Sequence, residues 1–226
     1  YSRIMLSKPN FFLEKIPLEQ IYLKNEAWYK EQNIAFLGGK TAVGMNAAEK
    51  TMSLDDGTVL QYEKLLLAIG GFPRKWDPQK IEGGDKKGVC YLRTLEDAKI
   101  IIEGIKTAKS AVCVGGGFVS FEACELLRMK NIDTTLLILE PYYWSNLWDE
   151  PSGLIVEEYL RQGGVHVLKN EEAEKVLGTD RVEGVRTKSG KEIPCQIVVV
   201  GIGITFPIGP FKHCVDCGRG IKTNEY

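Results

Sequence analysis

Two uninterrupted apolar runs stand in matching surroundings along the chain. Residues 55–70 and 188–203 align without gaps at an offset of 133 residues. Each segment reads as a glycine turn, a short strand and an apolar run that ends in Ile-Gly. Apolar runs without alternation are typical of parallel strands buried on both faces. The pattern therefore predicts two buried parallel strands, Leu65–Ile69 and Ile197–Val200, each with glycines at its carboxyl end that permit close backbone approach.

A glycine-rich turn precedes the second of these strands. The apolar pattern of residues 109–114 predicts a strand, and Gly115-Gly116-Gly117 follows it directly. Helical periodicity comes next, with one apolar face made of Val119, Ala123, Leu126 and Leu127. Residues 134–139 predict another strand, which Glu140 closes. The order strand, glycine turn, helix, strand and acid is that of a dinucleotide-binding unit.

The glycines of this turn suit the binding of a pyrophosphate. Gly115 allows the tight turn, and Gly117 lets the backbone approach the ligand. The N–H groups of Phe118 and Val119, together with the helix dipole, would hold the negative charge. The third position of the fingerprint is Ser120 instead of Gly or Ala. A glycine turn with only a structural purpose is the alternative.

Glu140 lies at the place where this unit carries its ribose-binding acid. Its carboxylate would accept hydrogen bonds from the adenosine ribose of NAD and would repel a 2′-phosphate. Residues 141–144, Pro-Tyr-Tyr-Trp, contain no arginine that could accept such a phosphate. The pattern thus favours NAD over NADP, while a solvated charge at a strand end is the alternative. The aromatic residues either flank the adenine or pack internally.

Further signals complete the predicted layout. Thr94 and Asp97 form a capping-box pattern that opens a helix through Ile105. Pro151 and the pair Gly163-Gly164 bracket another helix. Turn residues between 175 and 194 separate short strands and predict a small antiparallel excursion.

The internal repeat also predicts that the sequence is part of a longer one. The offset of 133 residues puts a first glycine finger before residue 1, and the chain does not begin with Met. We therefore expect a segment with a first glycine finger to be missing before residue 1.

Charge and hydropathy exclude several classes of protein. The 226 residues include 29 basic and 30 acidic side chains, so neither a nucleic-acid-binding face nor a polybasic membrane patch is expected. No apolar run approaches the roughly 18–20 residues that a membrane span needs. The first residues lack a signal-peptide layout.

Six scattered cysteines favour buried thiols in a reducing compartment, which is the cytoplasm or, in a eukaryote, also the mitochondrion. Cys214 and Cys217 form a C-x-x-C between a Pro-rich loop and a Gly-rich turn. Redox or metal chemistry and coincidence both remain open there. With two histidines and no second C-x-x-C, zinc is poorly supported.

Taken together, these segments resemble the pyridine nucleotide-dependent flavoprotein reductases, within them the branch of ferredoxin and rubredoxin reductases and apoptosis-inducing factor. The motifs are Tyr1 to Lys8 (YSRIMLSK), residues 66–73 (LLAIGGFP), residues 91–98 (YLRTLEDA) and the two glycine-rich strand ends of the predicted NAD unit. They depart from the family pattern at Ile4 and Ile69, which replace a usual Pro and Thr. The resemblance covers essentially the whole chain.

The resemblance implies an α/β fold of two Rossmann-like domains, with a parallel central sheet in each and the NAD domain inserted into the FAD domain. It assigns residues 1–94 to a partial FAD domain, 95–204 to an NAD(H) domain and 205–226 to a return segment. The implied cofactors are FAD and NAD(H). The family's first G-x-G-x-x-G motif and its later G-D motif for the flavin are both missing, so the resemblance implies a sequence cut short at both ends. We therefore expect this sequence alone not to hold FAD.

The resemblance also implies site residues. Arg3 and Lys8 approach the flavin, and Lys8 pairs with Glu122 to position flavin and nicotinamide for hydride transfer. The same resemblance gives Ala68 and Gly70 a cofactor contact. Gly203 would let the backbone approach the nicotinamide ribose. A solvated Lys8, and a Glu122 that serves only the helix dipole, are the alternatives.

Three functions remain open at this point. The first is a reductase that passes hydride from NADH to FAD and electrons to a ferredoxin- or rubredoxin-type carrier or a small acceptor. The second is an NADH-sensing signalling protein with slow turnover, similar to apoptosis-inducing factor, and the third is a degenerate nucleotide-binding scaffold. A homodimer is left open.

Overall fold

The computed structural model describes Leu6 and residues 8–224, which divide into two compact units. The first unit contains the described residues up to Leu23 together with Pro73–Gly203. The second contains Lys24–Phe72 and the described residues from Ile204 onward.

The secondary structure follows the predicted alternation of strands and helices. The strands are β1 Ala42–Asn46, β2 Thr51–Leu54, β3 Val59–Gln61, β4 Phe72–Pro73, β5 Val89–Cys90, β6 Ser110–Val114, β7 Asp133–Leu137, β8 Val165–Leu168, β9 Ala173–Leu177, β10 Gly184–Thr187, β11 Glu192–Pro194, β12 Ile197–Val200 and β13 Ile204–Thr205. The α-helices are α1 Pro9–Phe12, α2 Glu26–Glu31, α3 Leu95–Ile105, α4 Phe118–Met129 and α5 Glu150–Gln162. Short 3₁₀ helices span Leu18–Ile21 and Gly209–Phe211.

A five-stranded parallel sheet forms the centre of the first unit. Its strand order is β5-β12-β6-β7-β8, with parallel pairing throughout. Strands β6, β7 and β8 run outward in chain order, and β12 returns to the inner side of β6. The α/β fold with a parallel sheet and antiparallel additions is therefore confirmed.

Both faces of this sheet are covered, which explains the apolar runs. On β6, Ala111 and Cys113 pack against the helices, whereas Val112 and Val114 pack against the antiparallel strands β9–β11. Strand β12 alternates in the same way and is buried along its whole length. Successive side chains of a strand point to opposite faces, so a strand covered on both sides must be apolar throughout.

The helix ends lie where the capping signals predicted them. Thr94 and Asp97 form the reciprocal capping box of α3, which ends at Ile105 as predicted. Helix α5 begins after the N-cap Asp149, with a proline in its first turn, and ends before Gly163.

The two repeat segments contain the same antiparallel hairpin. Strands β2 and β3 become β10 and β11 when 133 is added to each residue number, and the two pairings have the same register. Each hairpin belongs to a three-stranded antiparallel sheet, β1-β2-β3 in the second unit and β11-β10-β9 in the first. The predicted antiparallel excursion is thus present, and the structure adds a counterpart in the other copy.

The prediction of a buried strand at Leu65–Ile69 is wrong for the structure described. Residues 65–70 have no regular secondary structure, and Leu66 is 88% exposed. Within the described residues, no neighbouring strand pairs with this segment. An apolar run becomes a strand only where partner strands accept its backbone hydrogen bonds.

The domain boundaries expected near residues 94 and 204 stay predictions, because compactness alone does not test which cofactor a segment binds. Among the residues that the structure describes, no helix is both long and apolar enough to cross a bilayer.

Candidate functional site

A cavity of about 720 Å³ lies at the carboxyl ends of the parallel strands in the first unit. The carboxyl ends of strands β6, β7 and β12 meet there, at the place where the strand order of the sheet reverses. Ligands of open α/β sheets bind at such switch points. Its lining includes the glycine turn, Glu140 and the glycines that follow β12, namely Gly201 and Gly203.

The glycine turn fits closely against the end of β12. Gly115 has a φ of 106°, and a Cβ at this position would collide with the carbonyl oxygen of Gly201. A Cβ on Gly117 would lie 3.4 Å from the same oxygen. Gly115 therefore requires glycine for the close approach of β6 and β12, whereas a Cβ at Gly117 would make only an ordinary van der Waals contact.

Helix α4 presents free N–H groups to the cavity. Its N-cap is Gly117, which has no side chain to cap the first turn. The N–H groups of Phe118 and Val119 have no acceptor within a helix that begins there. These donors and the positive end of the helix dipole form a site for an anion.

The surroundings of Ser120 show how a serine is accommodated at the third position of the fingerprint, where Gly or Ala is usual. Its side chain is fully buried, and its hydroxyl donates a hydrogen bond of 3.0 Å to the carbonyl oxygen of Val114. A Cβ on Gly201 would collide with this hydroxyl oxygen. The small side chain is accommodated because the facing residue on the β12 side is glycine.

Glu140 carries the one buried side-chain N or O atom without a hydrogen-bond partner among the described residues. This atom, Oε2, lies 3.2 Å from the place where a Cβ on Gly116 would stand. Buried polar atoms are almost always hydrogen-bonded, so an orphaned carboxylate oxygen beside an open cavity calls for a ligand donor. Ribose hydroxyls would supply it, and the residues present therefore fit NAD(H).

Gly203 lies at the far side of the same cavity. It has a φ of 104°, and nothing stands within 4 Å of a Cβ built there. Its carbonyl oxygen accepts a hydrogen bond of 2.9 Å from the N–H of Arg74. The backbone is thus fixed but open to a ligand.

Lys8 and Glu122 form an ion pair within the first unit. The Nζ of Lys8 donates to Oε1 of Glu122 at 2.9 Å, and the two side chains are 48% and 23% exposed. This hydrogen bond, with the charge of Glu122, raises the pKa of Lys8. The pairing expected from the resemblance is present, whereas its role toward a flavin stays a prediction.

The structure gives less support to the other residues that are expected to contact the flavin. Arg3 lies outside the described residues. Ala68 is exposed in the irregular segment of the second unit, and Gly70 has a φ of 61°. Their part in cofactor binding stays a prediction.

Sequence reasoning missed a buried network behind Glu140. The Tyr143 side chain is fully buried, and its hydroxyl donates to the carbonyl oxygen of Gly117 at 2.8 Å. The backbone N–H of Tyr143 donates to Oε1 of Glu157, a fully buried carboxylate. The aromatic run after Glu140 was a signal for packing here, but nothing in it indicates a partner 26 residues away.

Next to this network, Trp144 takes a left-handed backbone conformation with a φ of 57°. Its ring lies 4.6 Å from the ring of Phe118 and 4.7 Å from that of Trp148. A bulky residue in this conformation is strained, and such strain is often found at functional sites.

The six cysteines are all free in the structure. Cys90, Cys113, Cys124 and Cys195 are buried. Cys214, in a turn, and Cys217, in an isolated β-bridge with Ile221, are half-buried. Burial raises the pKa of Cys90 and of Cys195 to about 12, so neither thiol ionises near neutral pH. Within residues 8–224 and Leu6, no group of three or more metal-binding side chains is present.

Comparisons with known proteins agree with this geometry. Residues 2–226 match the family model described as pyridine nucleotide-disulphide oxidoreductase. The chain is 31% identical to a nitrite reductase [NAD(P)H] of Bacillus subtilis, over all of this chain and 28% of that protein. It is also 31% identical to a monodehydroascorbate reductase of Solanum lycopersicum, over 88% of this chain and 47% of the relative.

Solved structures show the same similarity. Putidaredoxin reductase, crystallised in a covalent complex with putidaredoxin, superimposes with a TM-score of 0.88 at 27% identity. The match covers 95% of this chain and 52% of that one. The chain thus spans about half, or less, of the length of these relatives.

Proposed function

Since the chain belongs to the pyridine nucleotide-disulphide oxidoreductase family, whose members use FAD and NAD(P)H, we propose that this protein is an NADH-dependent flavoprotein oxidoreductase. The observation that carries the proposal is the orphaned carboxylate oxygen of Glu140 beside the glycine turn. In such enzymes the reduced nicotinamide supplies a hydride and the flavin accepts it.

The chain's own residues bind and orient the dinucleotide. The N–H groups of Phe118 and Val119 would hold the pyrophosphate at the start of α4. Glu140 would accept hydrogen bonds from the adenosine ribose hydroxyls and would repel the 2′-phosphate of NADPH. Gly203 leaves the backbone open to the nicotinamide ribose. The cavity at the strand ends therefore favours NADH.

The Lys8–Glu122 pair would keep a fixed charge arrangement beside the reacting rings. The pair joins the N-terminal segment to the second turn of α4, so it holds Lys8 on the helix that binds the pyrophosphate. An ion pair with half-exposed partners adds little stability, and its value would lie in orientation.

We propose a small redox carrier protein as the acceptor. The similarity to putidaredoxin reductase, a protein crystallised with its putidaredoxin partner, supports this choice. Monodehydroascorbate reductases, whose names indicate a small-molecule acceptor, are the competing model. Electron transfer to a ferredoxin-type carrier in the absence of ascorbate radicals would separate the two.

The first test uses the complete natural protein under anaerobic conditions. We expect NADH to bleach the flavin absorbance at far lower concentrations than NADPH. Glu140→Gln should weaken the binding of NADH about tenfold, because a charged hydrogen-bond acceptor is lost. It should also reduce the preference for NADH over NADPH. Glu172→Gln is the matched control, since this carboxylate lines the same cavity but is paired with Lys188.

Other results would contradict the proposal. A native preference for NADPH would remove the role given to Glu140. A purified protein without flavin, or with a flavin that NADH cannot reduce, would favour a nucleotide-binding scaffold instead.

A further inference from the structure

Glu140 lies in an irregular segment that needs an anchor. Residues 138–149 connect β7 to α5 without a helix or strand, yet a ribose-binding acid must be held within a fraction of an ångström. The beginning of this segment is fixed to the neighbouring strand, because the N–H of Ile138 donates to the carbonyl oxygen of Leu168. The carbonyl oxygen of Glu140 also accepts a hydrogen bond of 3.3 Å from the N–H of Asn170, and Tyr143, three residues after the acid, adds a further anchor.

Tyr143 is held at both ends. Its N–H donates to Glu157 at 3.1 Å, and its hydroxyl donates to Gly117 at 2.8 Å. The ring between these two contacts is fully buried and lies edge-on to Phe121, with 6.2 Å between the centroids. The residue therefore spans the distance from α5 to the glycine turn.

The buried charge of Glu157, the carboxylate that binds the Tyr143 backbone, is neutralised by two cationic side chains. Oε2 of Glu157 is 2.8 Å from Nη2 of Arg161 and 3.3 Å from Nζ of Lys169. A buried carboxylate without partners would be strongly destabilising, and one with two cations and an N–H is tolerated and fixes geometry. Lys169 follows β8, so the network joins α5, the end of β8 and the segment with Glu140.

The hydroxyl of Tyr143 acts on a ligand-binding donor through one peptide plane. The peptide between Gly117 and Phe118 is planar and trans, so its C=O and N–H point in opposite directions. The C=O of Gly117 accepts from both the Tyr143 hydroxyl and the N–H of Phe121, at 2.8 and 3.1 Å. Fixing this C=O along the helix fixes the N–H of Phe118 toward the cavity.

We infer that Tyr143 is a positioning residue that locks the pyrophosphate-binding N–H of Phe118 and the ribose-binding Glu140 into one arrangement. It does not line the cavity and acts through the Gly117–Phe118 peptide and the backbone of its own segment. This inference rests on the proposed dinucleotide site and adds a residue that determines its affinity.

The test compares Tyr143→Phe with Tyr142→Phe in the complete natural protein. Both variants lose one phenolic hydroxyl, but the hydroxyl of Tyr142 is 3.4 Å from its acceptor, the carbonyl of Trp148, and does not reach the glycine turn. Affinity for ADP-ribose is measured by calorimetry, well below the melting temperature. Hydrogen exchange of a peptide that covers residues 115–121 is followed by mass spectrometry without ligand.

We expect Tyr143→Phe to raise the dissociation constant of ADP-ribose about 5- to 10-fold, since one buried hydrogen bond that orients the donor is lost. The peptide should exchange faster, and Tyr142→Phe should leave both readouts unchanged. Glu157→Gln, which keeps the acceptor for the Tyr143 N–H but loses the ion pairs, should change both readouts in the same direction by a smaller factor.

A purely structural Tyr143 would lower the melting temperature and leave the ADP-ribose affinity unchanged, and that result would overturn the inference while the proposed function stands. If the unmodified protein did not bind ADP-ribose at all, the proposed function and the inference would fall together.

Discussion

The two copies of the internal repeat begin alike and end differently. In both hairpin turns, the residue before the turn donates its N–H to the residue four positions on: Leu54 to Thr58, and Thr187 to Lys191, each at 2.9 Å. The turn glycines have nearly the same φ, 84° at Gly57 and 87° at Gly190. Two segments that share few identical residues thus build one local structure.

After the hairpin the copies diverge. Ile197–Val200 is a strand bonded on one side to β5 and on the other to β6, and every residue in it is buried. The equivalent residues 64–67 form no strand, and Leu66 is largely exposed. A hairpin contains its own hydrogen-bond partners, whereas a parallel strand depends on distant segments. The apolar pattern therefore indicates a capacity to form a buried strand, and the neighbours determine whether it forms.

The largest expected effect comes from truncating equivalent side chains in the two apolar runs. Val199 is 1% exposed and Leu66, its counterpart, is 88% exposed. In the 226-residue chain, Val199→Ala should lower the free energy of unfolding by about 2 kcal/mol. Leu66→Ala should change it by less than about 0.5 kcal/mol. Urea unfolding measures both.

The same pair sharpens the comparison in the complete natural protein. If Leu66→Ala costs as much there as Val199→Ala, partner strands cover the first run in that protein. Equal costs in the 226-residue chain itself would contradict the exposed position of Leu66.

The next effect concerns Gly201, which follows β12, and its equivalent in the other copy, Ala68. Gly201→Ala would drive a Cβ into the Ser120 hydroxyl and break its bond to Val114. We expect a loss of about 1 kcal/mol in the free energy of unfolding. Thermal unfolding should show that Ser120→Ala cancels most of this loss in the double variant, while Ala68→Gly has almost no effect. A full additive loss in the double variant would exclude this clash as the cause.

The smallest expected effect is a difference between the two hairpin turns in how their contribution to stability depends on pH. Asp56 lies in the first turn, and its hydrogen bond to Lys40, together with that to Thr58, lowers its pKa to about 2. A carboxyl whose pKa is lowered by folding stabilises above its unfolded value of about 4, and this contribution disappears as the pH falls toward 2. The equivalent residue, Ser189, does not titrate.

We therefore expect Asp56→Asn to reduce the drop in melting temperature between pH 6 and pH 3. Asp55→Asn, one residue earlier, is the control and should retain the drop seen in the unmodified chain. An unchanged acid response in Asp56→Asn would show that Lys40 and Asp56 do not interact in solution.

Local signals in the sequence predicted most of the first unit. The capping box at Thr94 and the glycines around α4 act within a few residues, and each lies where it was expected. The strands β6 and β12 were recognisable because both of their faces are covered by other elements of the same unit.

What sequence reasoning missed depends on tertiary contacts. The bond between Tyr143 and Gly117 joins residues whose proximity follows only from the packing of α5 on the sheet. Similarly, the exposure of Leu66 reflects neighbouring strands, which a hydropathy pattern does not contain. The pairing of Lys8 with Glu122 came from a family resemblance, because residues 114 positions apart give no periodic signal.

The position of β12 in the middle of its sheet also affects how the protein is made. Val198 pairs with Val89 of β5 on one side, and Val200 pairs with Val114 of β6 on the other. The edges of β5 and β6 that bind β12 therefore stay unpaired until the ribosome has produced residue 200. Unpaired edges of nascent chains are sites of aggregation, and pairing over long sequence separations is slow. Because Gly201 packs against the glycine turn, we expect the protein to become able to bind a dinucleotide only when β12, the last strand of this sheet in chain order, inserts.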